Sequence, residues 1–598
     1  MSDLLRKAYY FVDRTTRLQA ICIAALMIVC TLLEAVGIGL VFPLVEAVSD
    51  PDGLSRNAFA RFIFDIVGET DHQTALIALA LMFLGAILFK NAFLLVSFFA
   101  QGRFFSYNEA LFARRLFAHY LHSDYNILLS RNSSDLINNI VNTTTTIYSL
   151  VLRNILMLAI ETIMIACVMA VLLMANPIMT LSALALMIVS IGIIYLVNRN
   201  RLALWGQRQQ KARQLVFQTL QQAFHSIKEV KIFGCETQIL RNFATARQEM
   251  AVIDANMLVL SNIPRLWIES VAVCGFVGAV AYVVLQGETA TGLFSLLALF
   301  AAAAFRLIPS FNRILMAMNN LRTGIYAVNT VHADLTATRN KAPASAEAPP
   351  LPFNDTIVFE NVSYAYPDTE TSAASGINLQ IRKGEAIGLV GASGAGKTTI
   401  ADLLLGLLNP SQGRIVVDGQ DISENVRGWQ KNLSYVPQTV YLSDDSIRRN
   451  VAFGIPDEEI DDAQIMAALR LAQLEDFVQT LPEGLDTFVG ERGTWLSGGQ
   501  RQRIGIARAL YHDPDVLVLD EATSSLDSEA EHEISTAIDR LSGSKTIIII
   551  AHRLSTLRSC DRLVFMANAG IEDTGSFDTL AQKNSSFKRL VELSKFTG

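Results

Sequence analysis

Apolar residues in the first half of the chain gather into six runs, at 18–45, 75–99, 154–175, 177–197, 266–285 and 293–315. Each is long enough for a helix to cross about 30 Å of hydrocarbon. Nothing comparable follows residue 320. The runs are unevenly spaced: Asn176-Pro177 and 286–292 make tight turns, whereas 100–153 and 198–265 are long connections that must emerge on one side. Ahead of the first run, Leu4, Leu5, Ala8, Tyr9 and Val12 recur at helical spacing opposite Arg6, Lys7 and Arg14, the pattern of a helix lying in a membrane interface.

The pattern changes after residue 335. The stretch 336–352 is rich in Ala, Pro and Ser and has neither helical nor strand periodicity, so it reads as a linker. Beyond it, short β-branched runs at 357–359, 386–390, 516–519 and 546–550 alternate with helical stretches, the signature of an α/β domain. The expected organisation is a six-helix all-α membrane domain over 1–335, with an interfacial helix and two short cytoplasmic helices, then the linker and an α/β domain over 353–598.

Composition agrees with lipid contact. Of 598 residues, 51% are hydrophobic and 18% charged, and the mean hydropathy is +0.34, too apolar for a purely soluble multidomain chain. A formal net charge of -7 provides no basic field for nucleic acid, which is excluded as a default partner. The six cysteines lack CxxC or CxxH spacing and mostly sit in apolar runs, so neither disulfides nor zinc are expected. The first run is too long for a signal-peptide core and should remain as a span. Local charge orients the chain. Arg199, Arg201, Arg208, Lys211 and Arg213 fall in a stretch, 199–213, that holds no acid, while Asp50, Asp52, Asp65, Glu69 and Asp71 crowd the first connection against Arg56 and Arg61. The positive-inside bias then puts both termini and the long connections in the cytoplasm.

Gly391-Ala-Ser393-Gly394-Ala395-Gly396-Lys397-Thr398-Thr399 follows a strand and opens a helix expected through Leu408, the context a GxxxxGK[ST] loop requires. Its backbone N–H groups and helix N-terminus suit phosphate oxygens. Lys397 should reach the β- and γ-phosphates of ATP and the Thr398 hydroxyl should ligate Mg²⁺. The strand 516–519 ends in Asp520 and Glu521, which delivers two carboxylates beside that loop. Asp520 is expected to hold Mg²⁺ through water, and Glu521 to orient and deprotonate the attacking water.

Leu496-Ser497-Gly498-Gly499-Gln500 runs into a helix continuing to Leu510. With the phosphate loop and the paired acids, it makes the chain resemble the ATP-binding cassette transporters. That resemblance implies that Ser497, Gly499 and the helix start bind the γ-phosphate of ATP held by another subunit's phosphate loop. It also assigns Tyr366 to stack on adenine, Gln438 to sense Mg²⁺, Asp527 in Ser524-Ser-Leu-Asp527 to the loop crossing the dimer, and His552 to the γ-phosphate switch. Gly490-Glu-Arg-Gly493 resembles the exporter-specific loop, and 124–130 and 226–233 the two cytoplasmic coupling helices. Each residue alone has a bland alternative: Tyr366 as a strand aromatic, Gln438 as a turn, His552 as a surface histidine.

One chain carries one loop and one signature, so the resemblance implies a dimer. Symmetry favours two identical halves, with a heterodimer as the alternative. Within the spans, Glu34, Lys90, Arg153, Glu161, Glu269 and Arg306 either pair to fix helix packing or face a cavity. Lys90, Arg103, Arg153 and Arg306 are the candidates to meet an anionic headgroup. Leu33-Glu34-Ala-Val-Gly37 with Pro43, and Arg306-Leu-Ile-Pro309-Ser-Phe-Asn312-Arg-Ile, resemble lipid-linked oligosaccharide flippases. This implies a polyprenyl-diphosphate glycan moved from the cytoplasmic to the outer leaflet. An exporter of drugs, lipids or peptides and a membrane ATPase scaffold without transport are the competing readings.

Overall fold

The structure, a computed structural model, describes residues 2–39, 72–175, 177–286, 290–337, 348–367, 369, 371–521, 536, 538, 540–551 and 553–594. Contacts divide the chain into two compact units. One comprises Met1–Ser123 and Ser130–Lys341, the other Asp124–Leu129 and Ala342–Gly598.

The first unit is all helix. Its elements are α1 (Ser2–Tyr10), α2 (Arg14–Gly39), α3 (His72–Leu121), α5 (Arg153–Ala175), α6 (Pro177–His225), α7 (Ile227–Phe233), α8 (Glu236–Gln286) and α9 (Ala290–Ala337). All six expected apolar runs fall on helices α2, α3, α5, α6, α8 and α9, although 40–45 of the first lies outside the described residues. Among the described residues, Arg14–Glu34, Ala80–Leu121, Ser133–Met174 and Glu236–Gly275 are long and apolar enough to cross a membrane, and a shorter apolar stretch covers Thr180–Ser190. Outward-facing Phe89, Leu95, Phe98 and Phe99 are exposed, as lipid-facing side chains are.

α1 packs part of its apolar face against other helices of this unit. Leu4 and Phe11 are buried in one cluster with Phe112, Leu116, Tyr148, Val328 and Val331. Leu4 and Ala8 of α1 are thus buried against protein, while Tyr9 stays exposed. Lys7 Nζ donates to Asn329 Oδ1 at 2.8 Å, and the Arg17 guanidinium lies 3.7 Å over the Tyr9 ring. Phe11 was the unread part of the pattern, although with Leu4 and Ala8 it continues the i, i+4, i+7 spacing of one helix face.

Before α5, the helix carries π turns at Asn139–Thr143 and Ile147–Leu152. A π turn leaves carbonyls without their usual i+4 donor. Asn154 Nδ2 supplies one, donating to the carbonyls of Ser149 at 2.9 Å and Leu150 at 3.1 Å. α9 comes close to this segment at Gly324, where an added Cβ would lie 2.5 Å from Val151 Cγ2.

The second unit holds two sheets. β1 (Thr356–Tyr364), β2 (Ala374–Arg382), β4 (Gln412–Val417) and β5 (Gln420–Asp421) form an antiparallel sheet in the order β2-β1-β4-β5. β3 (Ala386–Gly391), β6 (Leu433–Val436), β7 (Val516–Asp520), β8 (Thr546–Ile550), β9 (Arg562–Ala567) and β10 (Gly570–Gly575) form the other, in the order β10-β9-β3-β8-β7-β6. Only the β10–β9 pairing there is antiparallel. Every residue of β3, β7 and β8 is buried, because helices covering both faces of a parallel sheet demand continuous apolar strands. Residues 348–353 are fastened into this unit. Leu351 and Phe353 are buried, Asn432 Nδ2 donates to Leu351 O at 2.6 Å, and Phe353 meets the buried Trp429 edge-on.

Candidate functional site: a phosphate loop at a sheet edge

β3 and β7 both pair in parallel with β8, so their carboxyl ends emerge on one edge. There the chain turns from Gly391 into α10 (Lys397–Leu404), which stops short of the expected Leu408 as the backbone tightens from Leu405 to Gly406. Gly396 caps α10 with φ +98, and an added Cβ would lie 2.3 Å from Ala373 O. Only glycine fits both demands. Lys397 is buried, its Nζ donating to the carbonyls of Gly391 at 2.9 Å and Ala392 at 3.0 Å. The ammonium thus lies folded over the loop between Gly391 and Gly396, a shape suited to several phosphate oxygens. Burial lowers the Lys397 pKa, while Glu521 and Asp520 oppose the shift.

Asp520 ends β7 and is buried. Tyr435 Oη donates to its Oδ2 at 3.3 Å, and burial with the Asp520 charge raises the Tyr435 pKa. Glu521 follows with φ +47, an uncommon backbone for a residue with a side chain, held by its N–H donating to Ile550 O at 2.8 Å. Gln438 Nε2 donates to Glu521 Oε2 at 2.6 Å. Three expected site residues from distant segments, Gln438, Asp520 and Glu521, therefore meet on one edge. The oxygens of Thr398, Gln438 and Asp520 are the hard donors that Mg²⁺ prefers. Among the described residues, no cluster of three His, Cys, Asp or Glu offers an alternative metal site.

Tyr366 Oη lies 3.3 Å from Thr399 Oγ1, which brings the expected adenine-stacking ring to the phosphate loop. Tyr364 packs edge-on against Tyr366 at 5.1 Å, and its hydroxyl donates to Asn126 Oδ1 at 2.7 Å. Asn126 belongs to α4 (Tyr125–Leu129), the first of the two short expected helices, which clusters with this second unit. The second expected short helix is α7, in the first unit.

Ser497 caps α11 (Gly498–Tyr511): Gln500 N–H donates to Ser497 Oγ at 3.2 Å, and Ser497 N–H to Gln500 Oε1 at 2.8 Å. This reciprocal capping box fixes the helix start with Gly498 and Gly499 in its first turn. Arg501 Nη1 braces the preceding loop by donating to Leu496 O at 2.7 Å. Asp527 and His552 lie outside the described residues.

Asp402, on α10, is a residue the sequence reading missed. Burial and the Asp520 charge push its pKa up to about 6. Nothing in a linear pattern marks it, since its neighbour Asp520 arrives from another strand.

In the helical unit, Lys90 is half-buried and Arg103 exposed on α3, and Arg153 is exposed at the start of α5. Arg306 lies on α9 without a described side chain. Glu161 is buried and pairs with Arg313, whose Nε and Nη2 both donate to its carboxylate, Nη2 at 3.2 Å. Arg313 Nη2 also reaches Ser310 Oγ at 3.3 Å. The packing reading of Glu161 therefore has a partner the candidate set did not contain.

Comparison with known proteins agrees with this geometry. The family described as ABC transporter matches residues 374–524, and the ABC transporter transmembrane region matches 52–307. A protein from Syntrophus aciditrophicus (strain SB) named ATP-dependent lipid A-core flippase is 33% identical over 380 residues, 62% of each chain. Its namesake from Thiobacillus denitrificans is 33% identical over 421 residues, 69% of this chain and 71% of its own. The chain thus spans a little over three fifths of the length of the Syntrophus relative. A solved bacterial Atm1-family ABC exporter with ATP bound shares the fold with a TM-score of 0.78 at 24% identity, covering 97% of this chain and 99% of that one. With a six-helix membrane region ahead of an α/β nucleotide-binding region, the chain belongs to the ABC transporter family.

Proposed function

We propose that this chain is one half of an ATP-driven exporter that hydrolyses ATP and moves an amphiphilic, anionic lipid-linked glycan from the cytoplasmic to the outer leaflet. The observation that carries the hydrolytic part is the Gln438–Glu521 hydrogen bond beside Asp520 and Lys397. Lys397 releases its loop carbonyls to neutralise the β- and γ-phosphates, and the N–H groups from Gly391 to Thr399 cradle them. Thr398, Gln438 and Asp520 would hold Mg²⁺, which when bound adds positive charge at the transferring phosphoryl group. Glu521 orients the water for in-line attack and accepts its proton, and His552 steadies the γ-phosphate.

One chain brings one phosphate loop and one signature, so two copies sandwich two ATP, each loop facing Ser497–Gln500 of the other. ATP adds contacts that only the closed pair makes and hydrolysis removes them, which cycles the membrane helices. In this reading 1–335 is the membrane domain, 336–352 the linker and 353–598 the cytoplasmic nucleotide-binding domain of a bacterial inner-membrane protein.

The flippase names of two relatives support a lipid as cargo. Lys90, Arg103, Arg153 and Arg306 support an anionic headgroup, and the resemblance of 33–43 and 306–314 supports a polyprenyl-diphosphate glycan. ATP hydrolysis in lipid nanodiscs tests the whole. Stimulation by a diphosphate-linked glycolipid is expected; stimulation by apolar drugs alone favours a drug exporter, and no stimulation by either favours a scaffold ATPase. Replacing Arg306 by Ala should reduce stimulation more than basal turnover.

A further inference from the structure

Because residues 124–129 cluster with the second unit, the chain passes between units at three places, after Ser123, before Ser130 and after Lys341. One buried carboxylate gathers the helical-unit side of all three. Asp334, on the last turns of α9, has a side chain only 5% exposed. Tyr120, at the end of α3, donates to its Oδ2 at 2.7 Å. Arg131, just past the return, donates through Nη2 to its Oδ1 at 2.8 Å. Asn139 Nδ2 reaches Asp334 Oδ2 at 3.1 Å and Tyr120 Oη at 3.3 Å, and is itself held by Thr143 Oγ1 at 3.1 Å. Apolar Leu116, Val331 and Leu335 surround the group.

A carboxylate in such surroundings is costly unless every acceptor position is filled. All of its partners must therefore be in place together, and those partners come from positions 195 to 214 residues away. We propose that Asp334 is a positioning residue: it pins both feet of the 124–129 segment to the end of α9, so that the segment, its return and the helix leading out move as one piece. The segment itself is also held, by Tyr364 on Asn126. The inference rests on the proposed function in one respect, that movement of the nucleotide-binding unit drives the membrane helices.

The test uses the full chain in nanodiscs with three readouts: basal ATP hydrolysis, translocation of a fluorescent diphosphate-linked glycolipid, and amide hydrogen exchange over 121–131. Asp334→Asn should leave basal hydrolysis within about twofold, lower translocation per ATP about tenfold, and speed exchange about tenfold, the scale of one lost charged hydrogen bond. Tyr120→Phe and Arg131→Gln, which keep the carboxylate, should move the same readouts in the same direction by less; if Asp334→Asn does not fold, these two decide. Unchanged exchange, or an unchanged ratio of translocation to hydrolysis, overturns the positioning role. A wild-type chain that neither hydrolyses nor translocates would instead sink the proposed function, and the exchange readout would still report on Asp334.

Discussion

The two units keep their charged groups in opposite ways. In the nucleotide-binding unit the reactive groups lie near or on the surface of one sheet edge and are held under tension. Glu521 takes a backbone that side chains disfavour, Lys397 is buried against its ordinary charged state, and Asp402 is pushed up to about 6. In the helical unit two buried carboxylates are satisfied by partners: Glu161 by Arg313, Asp334 by Tyr120, Arg131 and Asn139. The difference teaches where each kind of substitution should be felt. Strain at a sheet edge is poised for chemistry, and its removal should spare or raise stability. A closed pair in a helix bundle serves packing, and opening it leaves an uncompensated charge where solvent is scarce.

The strongest way to break this contrast is Glu521→Gln. Turnover should fall by at least about 10³-fold, some 4 kcal/mol of barrier, while the thermal midpoint holds or rises and an ATP-bound closed dimer accumulates. Phosphate release and cross-linking measure both; undiminished hydrolysis removes Glu521 as the base. Arg313→Ala is the counterpart in the helical unit. It should cost about 3–5 kcal/mol in unfolding free energy by leaving Glu161 unpaired, and Glu161→Leu with Arg313→Met should recover most of it. A stable single variant would mean that the pair is not closed.

Asp402→Asn sharpens the contrast through pH. A carboxyl raised in the folded state gives stability that is fully present below its unfolded pKa of 3.8 and lost as pH rises through about 6. The amide should therefore raise stability at pH 8 by about 1–2 kcal/mol, discounted for partial access to solvent, and give no gain at pH 4. Denaturation curves at the two values check the sign. Smallest is Ser497→Ala, which removes an N-cap worth about 1 kcal/mol. Ser497→Asn should restore the cap and the stability, and ATP-driven dimerisation then separates capping from any contact across the dimer.

How much of this could be read in advance followed from how the chemistry is spaced. The phosphate loop, the Asp520-Glu521 pair and the signature are contiguous because each is a strand end or a helix start, where local backbone geometry alone presents N–H groups or carboxylates. The six apolar runs were equally legible, since lipid demands long uninterrupted helices. Gln438 was named from a resemblance, but its hydrogen bond to Glu521 joins residues 83 positions apart, and no local pattern holds that distance.

The sequence by itself determined the fold class, the order of the two regions and the glycine-rich loop and helix starts that are candidates to hold a nucleotide, because short-range periodicity and turn chemistry decide those. Only the tertiary structure decided that Arg313, rather than any of the candidate cations, answers Glu161, that Leu4 and Phe11 are buried in protein, and that Asp334 gathers Tyr120, Arg131 and Asn139. Those outcomes depend on which helices pack together, and a buried charge finds its partner across the packed interface, where separation along the chain carries no information.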